Sequence, residues 1–125
     1  MTEGDAALAV LVEGHLDTVS FVMNYIELRI GYSILRALNP PRVKLRDGTV
    51  ATFPQPGSRD ALCRLIDTKV VAAREVTDGP WRIEVETDRG DLLVVPIDST
   101  DHPESAHLVP ADERGRLHGE RMYIW

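Results

Sequence analysis

Residues 57–66 read as a short helix between segments that read as strands, and this contrast constrains the fold more than any other feature. Within this stretch the apolar side chains share one side of a helix: Ala61, Leu62, Leu65 and Ile66. Ser58 is the predicted N-cap, since its hydroxyl can accept hydrogen bonds from the free N–H groups of the first turn. A lone helix of this length is marginal in water, so we expect a sheet to cover its apolar side.

Most of the remaining chain alternates between apolar and polar residues, which is the pattern of half-buried strands. Around residue 28, Ile26 and Leu28 are expected to face a core while Glu27 and Arg29 face water. Strands are predicted over residues 19–23, 25–30, 34–38, 42–46, 49–53, 69–76, 81–86 and 92–97, with a further short element within 105–109.

The two ends of the chain are expected to behave differently. Residues 1–5 are acidic and are predicted to be frayed. Residues 121–125 contain two aromatic side chains, Tyr123 and Trp125, which favour docking of this tail over exposure to water. The other tryptophan, Trp81, is predicted to alternate onto the half-buried side of its strand.

Asp47-Gly48 predicts a β-hairpin, because this dipeptide supplies the positive φ angles of a type I′ turn. With that turn Leu45 faces Val50 and Val43 faces Thr52. The basic residues of the first strand share the opposite face: Arg42, Lys44 and Arg46.

A weak internal repeat suggests two similar halves, since Leu16-Asp17-Thr18 and Ile66-Asp67-Thr68 each precede three predicted strands. The alternative is chance similarity, because alternation makes any two strands look alike. The predicted fold class is α+β, in a single domain over residues 1–125. It comprises a mostly antiparallel sheet or partly open barrel from two meander-like halves, with one main helix, about 58–67, packed on it.

Composition excludes several classes of function. A net charge of -6 disfavours binding to nucleic acid or to an anionic membrane. No apolar run approaches the ~20 residues of a membrane helix, and the N-terminus lacks the basic region of a signal peptide, so we expect a cytoplasmic protein. Cys63 is the single cysteine, which excludes an internal disulfide; we expect it to be a buried thiol. No cofactor is predicted.

The segment 98–107 is the first candidate site, because it joins carboxylates and imidazoles after the most apolar strand. His102, Glu104 and His107 are donors that suit a divalent metal. Their spacing matches no established metal motif, and a solvated acidic loop with local turns is the simpler interpretation.

The second candidate site is basic. Five cations and no carboxylate occur between residues 29 and 46, in a chain that is acidic overall. Arg42, Lys44 and Arg46 project from one strand face and form the predicted partner-binding surface, for an acidic partner or a phosphate. The alternative is a charged edge strand that discourages pairing with other sheets.

Four short segments resemble small uncharacterised bacterial α+β proteins, some of which are immunity-type partners of secreted toxins. They are Asn24–Leu28, Pro56–Leu62, Leu93–Pro96 and Pro103–Ser105. The resemblance covers most of residues 15–107 and brings no catalytic residues with it. It implies a protein that acts by binding another protein.

The leading hypothesis is therefore a non-enzymatic binding protein, with an immunity-type toxin neutraliser as its specific form. An acidic protein of this kind would steer onto a basic toxin through complementary charge. The alternative is a metal- or small-ligand-binding domain that uses the 98–107 loop, and a hydrolase has the least support. The oligomeric state stays open, with a homodimer among the possibilities.

Overall fold

The computed structural model describes residues 2–23, 25–98 and 104–125, which contain ten strands and two short helices. The helices are α1 (Glu3–Leu8) and α2 (Ser58–Cys63), and single 3₁₀ turns occur at Ala9–Leu11 and Gly119–Arg121. The strands are β1 (His15–Val22), β2 (Tyr25–Ile30), β3 (Ser33–Ala37), β4 (Arg42–Lys44), β5 (Val50–Thr52), β6 (Thr68–Val76), β7 (Arg82–Thr87), β8 (Leu92–Pro96), β9 (Ala106–Val109) and β10 (Tyr123–Ile124).

All ten strands form one open sheet in the order β10-β9-β3-β2-β1-β6-β7-β8-β4-β5, and every pair of neighbours is antiparallel. The predicted antiparallel sheet is thus confirmed. The α+β class with one main helix over 58–67 is only loosely matched, because each helix has six residues and the fold is mainly β.

The sheet order has an internal symmetry. Each half of the chain supplies one short helix and five strands, and the first three strands form a meander, β1-β2-β3 or β6-β7-β8. The last two strands of each half cross over: β4 and β5 extend the second meander, while β9 and β10 extend the first. Two five-stranded halves therefore exchange strands, and residues from both join a single apolar core.

The two halves meet at a narrow seam. β1 and β6 pair only through His15 with Lys69 and Leu16 with Thr68. Gly14 lies beside this seam, where a Cβ would come within 2.8 Å of the Leu11 carbonyl oxygen and within 2.9 Å of the Ile30 side chain. A side chain at residue 14 would therefore force the Leu11 carbonyl or the Ile30 side chain to shift.

The β4–β5 hairpin differs from the predicted register by one residue. Lys44, not Leu45, faces Val50, and Val43 faces Ala51. Gly48 adopts a φ of 92° and its N–H donates to the Leu45 carbonyl, which makes the loop one residue longer than a type I′ turn. A shift of one residue moves a side chain to the other face, so Val50 is 53% exposed.

The apolar side of α2 is confirmed, since Ala61, Leu62 and Leu65 are buried beside β4 and β5. Two details were wrong. Gly57, with a φ of 87°, is the N-cap, because the chain enters the helix through a left-handed residue and Ser58 is already helical. Cys63 is exposed rather than buried, because the 3.6-residue turn places it opposite the apolar side.

The N-terminal residues 2–5, predicted to be frayed, instead begin α1. The Thr2 hydroxyl accepts from the Asp5 N–H, and the Asp5 carboxylate accepts from the Thr2 N–H, which is a capping box. Asp5 also accepts from the backbone N–H of Glu75 at 2.7 Å, and this bond holds the helix on β6. The capping box is a local pattern, whereas the contact with Glu75 joins residues that lie 70 positions apart and could not be read from the sequence.

The predicted docking of the C-terminal tail is confirmed. β10 pairs with β9, and the Trp125 indole donates to Glu75 Oε2 at 2.8 Å. Trp81 departs from its prediction: it is 55% exposed, because β7 begins one residue later, at Arg82. Within the described part of the chain, no helix is long and apolar enough to cross a membrane.

Candidate functional site

The basic strand β4 lies inside the sheet, between β5 and β8. Val43 is buried, so Arg42 and Lys44 point to the outward side, as alternation predicted. The strand at this edge of the sheet is β5, so the charges of β4 do not lie at an edge and cannot discourage pairing with another sheet. This position removes the main support for the alternative interpretation of these cations.

The neighbours of these two cations are not acidic. Arg42 lies between Thr52 on β5 and Val94 on β8, and in the next row Lys44 lies between Val50 and Leu92, two apolar residues. Within the described ranges, no carboxylate oxygen lies within 4.0 Å of either charged group. The cations of β4 therefore meet uncharged side chains on both sides.

Two other cations on the same outward side are paired with a carboxylate. Arg74 and Arg82 contact the two carboxylate oxygens of Glu84 at 2.9 and 2.8 Å. Partial burial alone would raise the pKa of Glu84, but the hydrogen bonds from Arg82 and Arg74 outweigh it and hold that pKa below its ordinary value. This part of the sheet compensates its charges internally.

The symmetry-related half gives a direct comparison for Arg42. There the row across β2, β3 and β9 consists of Glu27, Arg36 and His107. Arg36 contacts Glu27 through Nε at 3.1 Å and His107 Nδ1 through Nη1 at 3.1 Å. In the other half Arg42 occupies the position of His107, but Val94 occupies the position of Arg36. The row that contains Arg42 thus lacks the compensating network.

Arg46, the third predicted partner-binding residue, follows β4 in the hairpin loop. Its backbone N–H donates to Asp91 Oδ1 at 2.9 Å, and its aliphatic stem lies over Gly90. A Cβ at residue 90 would approach Arg46 Cγ to 3.4 Å, so the glycine leaves room for the stem. Arg46 therefore connects the outward face of β4 with the turn after β7.

Two of the three predicted metal ligands are brought together. His107 Nε2 hydrogen-bonds to Glu104, and the imidazole side chain is 13% exposed. A guanidinium can only donate, so Arg36 requires an unprotonated Nδ1, and Nε2 then carries the proton that it shares with Glu104. Both ring nitrogens of His107 thus have hydrogen-bond partners within the protein.

The remaining predicted ligand, His102, lies outside the described residues. Among the residues that are described, no group of three His, Cys, Asp or Glu side chains is placed to hold a metal ion. The three-ligand site over 98–107 stays a prediction.

A second imidazole, which the sequence analysis did not single out, lies between two carboxylates. His118 Nε2 is 2.8 Å from Asp112 Oδ2 and its Nδ1 is 2.7 Å from Glu120 Oε1. Asp112 also accepts the backbone N–H groups of Arg114 and Arg116. The hydrogen bond from His118 is the largest cause that lowers the pKa of Asp112 to about 2, and the Asp112 hydrogen bond raises the pKa of His118.

We expect His118 to titrate above its ordinary range, because its protonated form contacts Asp112 and Glu120. A raised pKa stabilises the fold at low pH, and this contribution is lost as pH rises through the folded pKa of His118. Asp112 and Glu120 have lowered pKa values and therefore stabilise the fold above their ordinary pKa values. This contribution to stability is lost as pH falls through their folded pKa values. An NMR titration of the His118 ring tests this, with Asp112→Asn expected to lower its pKa. An unchanged titration in that variant would contradict the contact.

An open cleft of about 890 Å³ lies beside Arg46. Its walls are the β4–β5 loop, the end of α2 and the β7–β8 turn. It contains three arginines and three aspartates beside Leu45, Cys63 and Ile66; the charged residues are Arg46, Arg64, Arg89, Asp47, Asp88 and Asp91. The sequence analysis missed this cleft because its cations come from three segments that lie far apart in the chain.

Comparisons of the chain with protein-family models, with curated proteins and with solved structures found no match. The assignment of function therefore depends on the geometry and chemistry of the chain itself.

Proposed function

We propose that this chain is a non-enzymatic binding protein whose partner is another protein, and that the outward face of β4 contacts an acidic patch on that partner. The observation that carries the proposal is the setting of Arg42 and Lys44. These cations lie beside Val50, Val94 and Leu92, whereas Arg74, Arg82 and Arg36 are paired with carboxylates of the same sheet.

A cation that lies between apolar side chains is stabilised when a carboxylate of another molecule pairs with it. Arg42 is half-buried and Lys44 is exposed, so both are accessible on a flat strand face. An acidic partner supplies the missing charge, and complementary potentials mainly accelerate encounter and determine orientation. Because the chain as a whole carries -6, an acidic patch on the partner is repelled by the rest of the surface and is directed to this face.

The specific form of the proposal is an immunity-type protein that neutralises a toxin in the cytoplasm. It is supported by the resemblance of residues 56–62 and 93–96 to small uncharacterised bacterial α+β proteins, some of which are immunity-type partners of secreted toxins. A toxin that is basic overall would be steered to this acidic chain, and an acidic patch on that toxin would contact the outward face of β4. A toxin gene beside the gene for this chain supports this form, and an enzyme operon in its place contradicts it.

We expect Lys44→Glu to slow association with the partner without unfolding the protein. The substitution reverses one exposed charge, so its effect on stability should stay within about 0.5 kcal/mol. The measurement is a pull-down from native cytoplasm at low and high salt, followed by the association rate with the captured protein. The loss should be largest at low salt, because salt screens exposed charges.

Arg29→Glu is the matched control. Arg29 is an exposed cation on β2, in the other half of the sheet, and its reversal gives the same change in net charge. We expect this variant to capture the partner as the wild type does. The same proteins captured by the wild type and both variants at both salt concentrations would contradict a role of the β4 face.

A further inference from the structure

The cleft beside Arg46 is built from three connections that the tertiary fold brings together. Arg46 comes from the β4–β5 loop, Arg64 from the residue after α2 and Arg89 from the β7–β8 turn. Leu45 and Ile66 supply an apolar wall next to these three side chains. The volume of about 890 Å³ lies in the range of sites for small molecules, which runs to roughly 1,000 Å³.

The aspartates of the cleft are occupied in forming its walls. Asp91 is 8% exposed and accepts the Arg46 N–H at 2.9 Å, which joins two of the connections. Asp47 accepts the Thr49 N–H at 2.9 Å within the hairpin loop, and Asp88 accepts the Lys69 N–H at 3.1 Å. Each carboxylate thus has one oxygen bonded to a backbone amide.

The guanidinium groups of the cleft are not all paired with carboxylates within the described part of the chain. Arg89 donates to the carbonyl oxygens of Arg64 and Asp67 at 3.4 and 3.3 Å, which orients it toward the end of α2, and it lies 3.8 Å from Asp67 Oδ2. Over the described ranges, neither Arg46 nor Arg64 has a carboxylate oxygen within 4.0 Å of its guanidinium. Donors of at least two guanidinium groups are therefore available in the cleft.

We propose that this cleft binds a phosphorylated small molecule, with Arg46, Arg64 and Arg89 around its phosphate groups. A guanidinium presents donors in a planar fork that matches phosphate oxygens, and three forks from separate connections suit an anion with several oxygens and at least two charges. A single carboxylate is satisfied by one such fork. Leu45 and Ile66 lie where the uncharged part of the ligand extends.

Cys63 makes the test direct, because it lines the cleft, is exposed and is the only cysteine of the chain. Cys63 is alkylated with iodoacetamide, an uncharged reagent, in three parallel samples that contain pyrophosphate, ADP or sodium chloride at equal ionic strength. Mass spectrometry follows the extent of alkylation in each sample. We expect pyrophosphate and ADP to slow alkylation and chloride to leave it unchanged. ADP should protect at a lower concentration than pyrophosphate if the apolar wall binds the nucleoside.

Arg64→Gln should raise the concentration needed for half-protection by about tenfold, the effect of removing one charge-assisted hydrogen bond. Arg59→Gln is the matched control, because Arg59 belongs to α2, which ends just before Arg64, but lies outside the cleft, over the rings of Phe21 and Phe53. Calorimetric titration of the wild type with pyrophosphate provides a measurement that does not depend on the thiol. Equal protection by pyrophosphate and chloride, with no heat of binding, overturns the proposal.

This site is independent of the proposed protein partner. Lys44 does not line the cleft, so Lys44→Glu should retain protection by pyrophosphate, and Arg64→Gln should retain capture of the partner. Failure of one proposal is therefore distinguishable from failure of the other.

Discussion

Replacing Leu65 with alanine is expected to destabilise the protein by about 2–5 kcal/mol, the range for truncating a fully buried leucine. Leu65 has no exposed surface and belongs to the core that joins both halves of the sheet. Leu62, which is also buried, should behave similarly. The loss arises from the removed apolar contacts and from the cavity that the surrounding strands cannot fill. Urea unfolding of each variant measures it.

Cys63→Ala is the matched control within the same segment. Cys63 is exposed on the opposite side of α2, so its substitution should change the free energy of unfolding by no more than about 0.5 kcal/mol. Similar small effects at residues 62, 63 and 65 would show that the apolar side of α2 does not face the core.

Replacing Trp125 with alanine is expected to cost about 3 kcal/mol, the low end of the range for tryptophan, because its side chain is only partly buried. Its ring lies 4.5 Å from that of Tyr123, and its indole N–H donates to Glu75 across the two halves of the sheet. The substitution removes the aromatic contact and leaves Glu75 without this donor. Thermal and urea unfolding give the change in stability.

Trp81→Ala is the control, since Trp81 is the only other tryptophan and is more than half exposed. We expect its effect to stay within about 0.5 kcal/mol. Trp125→Phe separates the two contributions, because it keeps an aromatic ring and removes the hydrogen bond; a loss of about 1.5–3 kcal/mol is expected for a bond to a charged acceptor. Equal effects of the two alanine substitutions would contradict docking of the tail.

The candidate surfaces were predictable to different degrees. Alternation along residues 42–46 correctly placed Arg42 and Lys44 on the side opposite Val43. It could not reveal that β8 would supply Val94 and Leu92 as their neighbours, because the paired residues lie far apart in the chain. The lack of carboxylate partners among the described residues, on which the proposed function depends, is visible only after the strands are ordered.

The sequence by itself determined the local features of this protein. Side chains alternate along a strand and recur every 3.6 residues in a helix, so the buried sides of β2 and α2 follow from Ile26, Leu28, Leu62 and Leu65 without knowledge of their partners. Strong turn signals likewise located the hairpin at Gly48.

Only the tertiary structure decided how these pieces are joined. The exchange of β4 and β9 between the halves, the anchoring of α1 on β6 and the meeting of Arg46, Arg64 and Arg89 all depend on contacts between distant residues. Such contacts form only when both segments are already in place, and for that reason no local pattern records them.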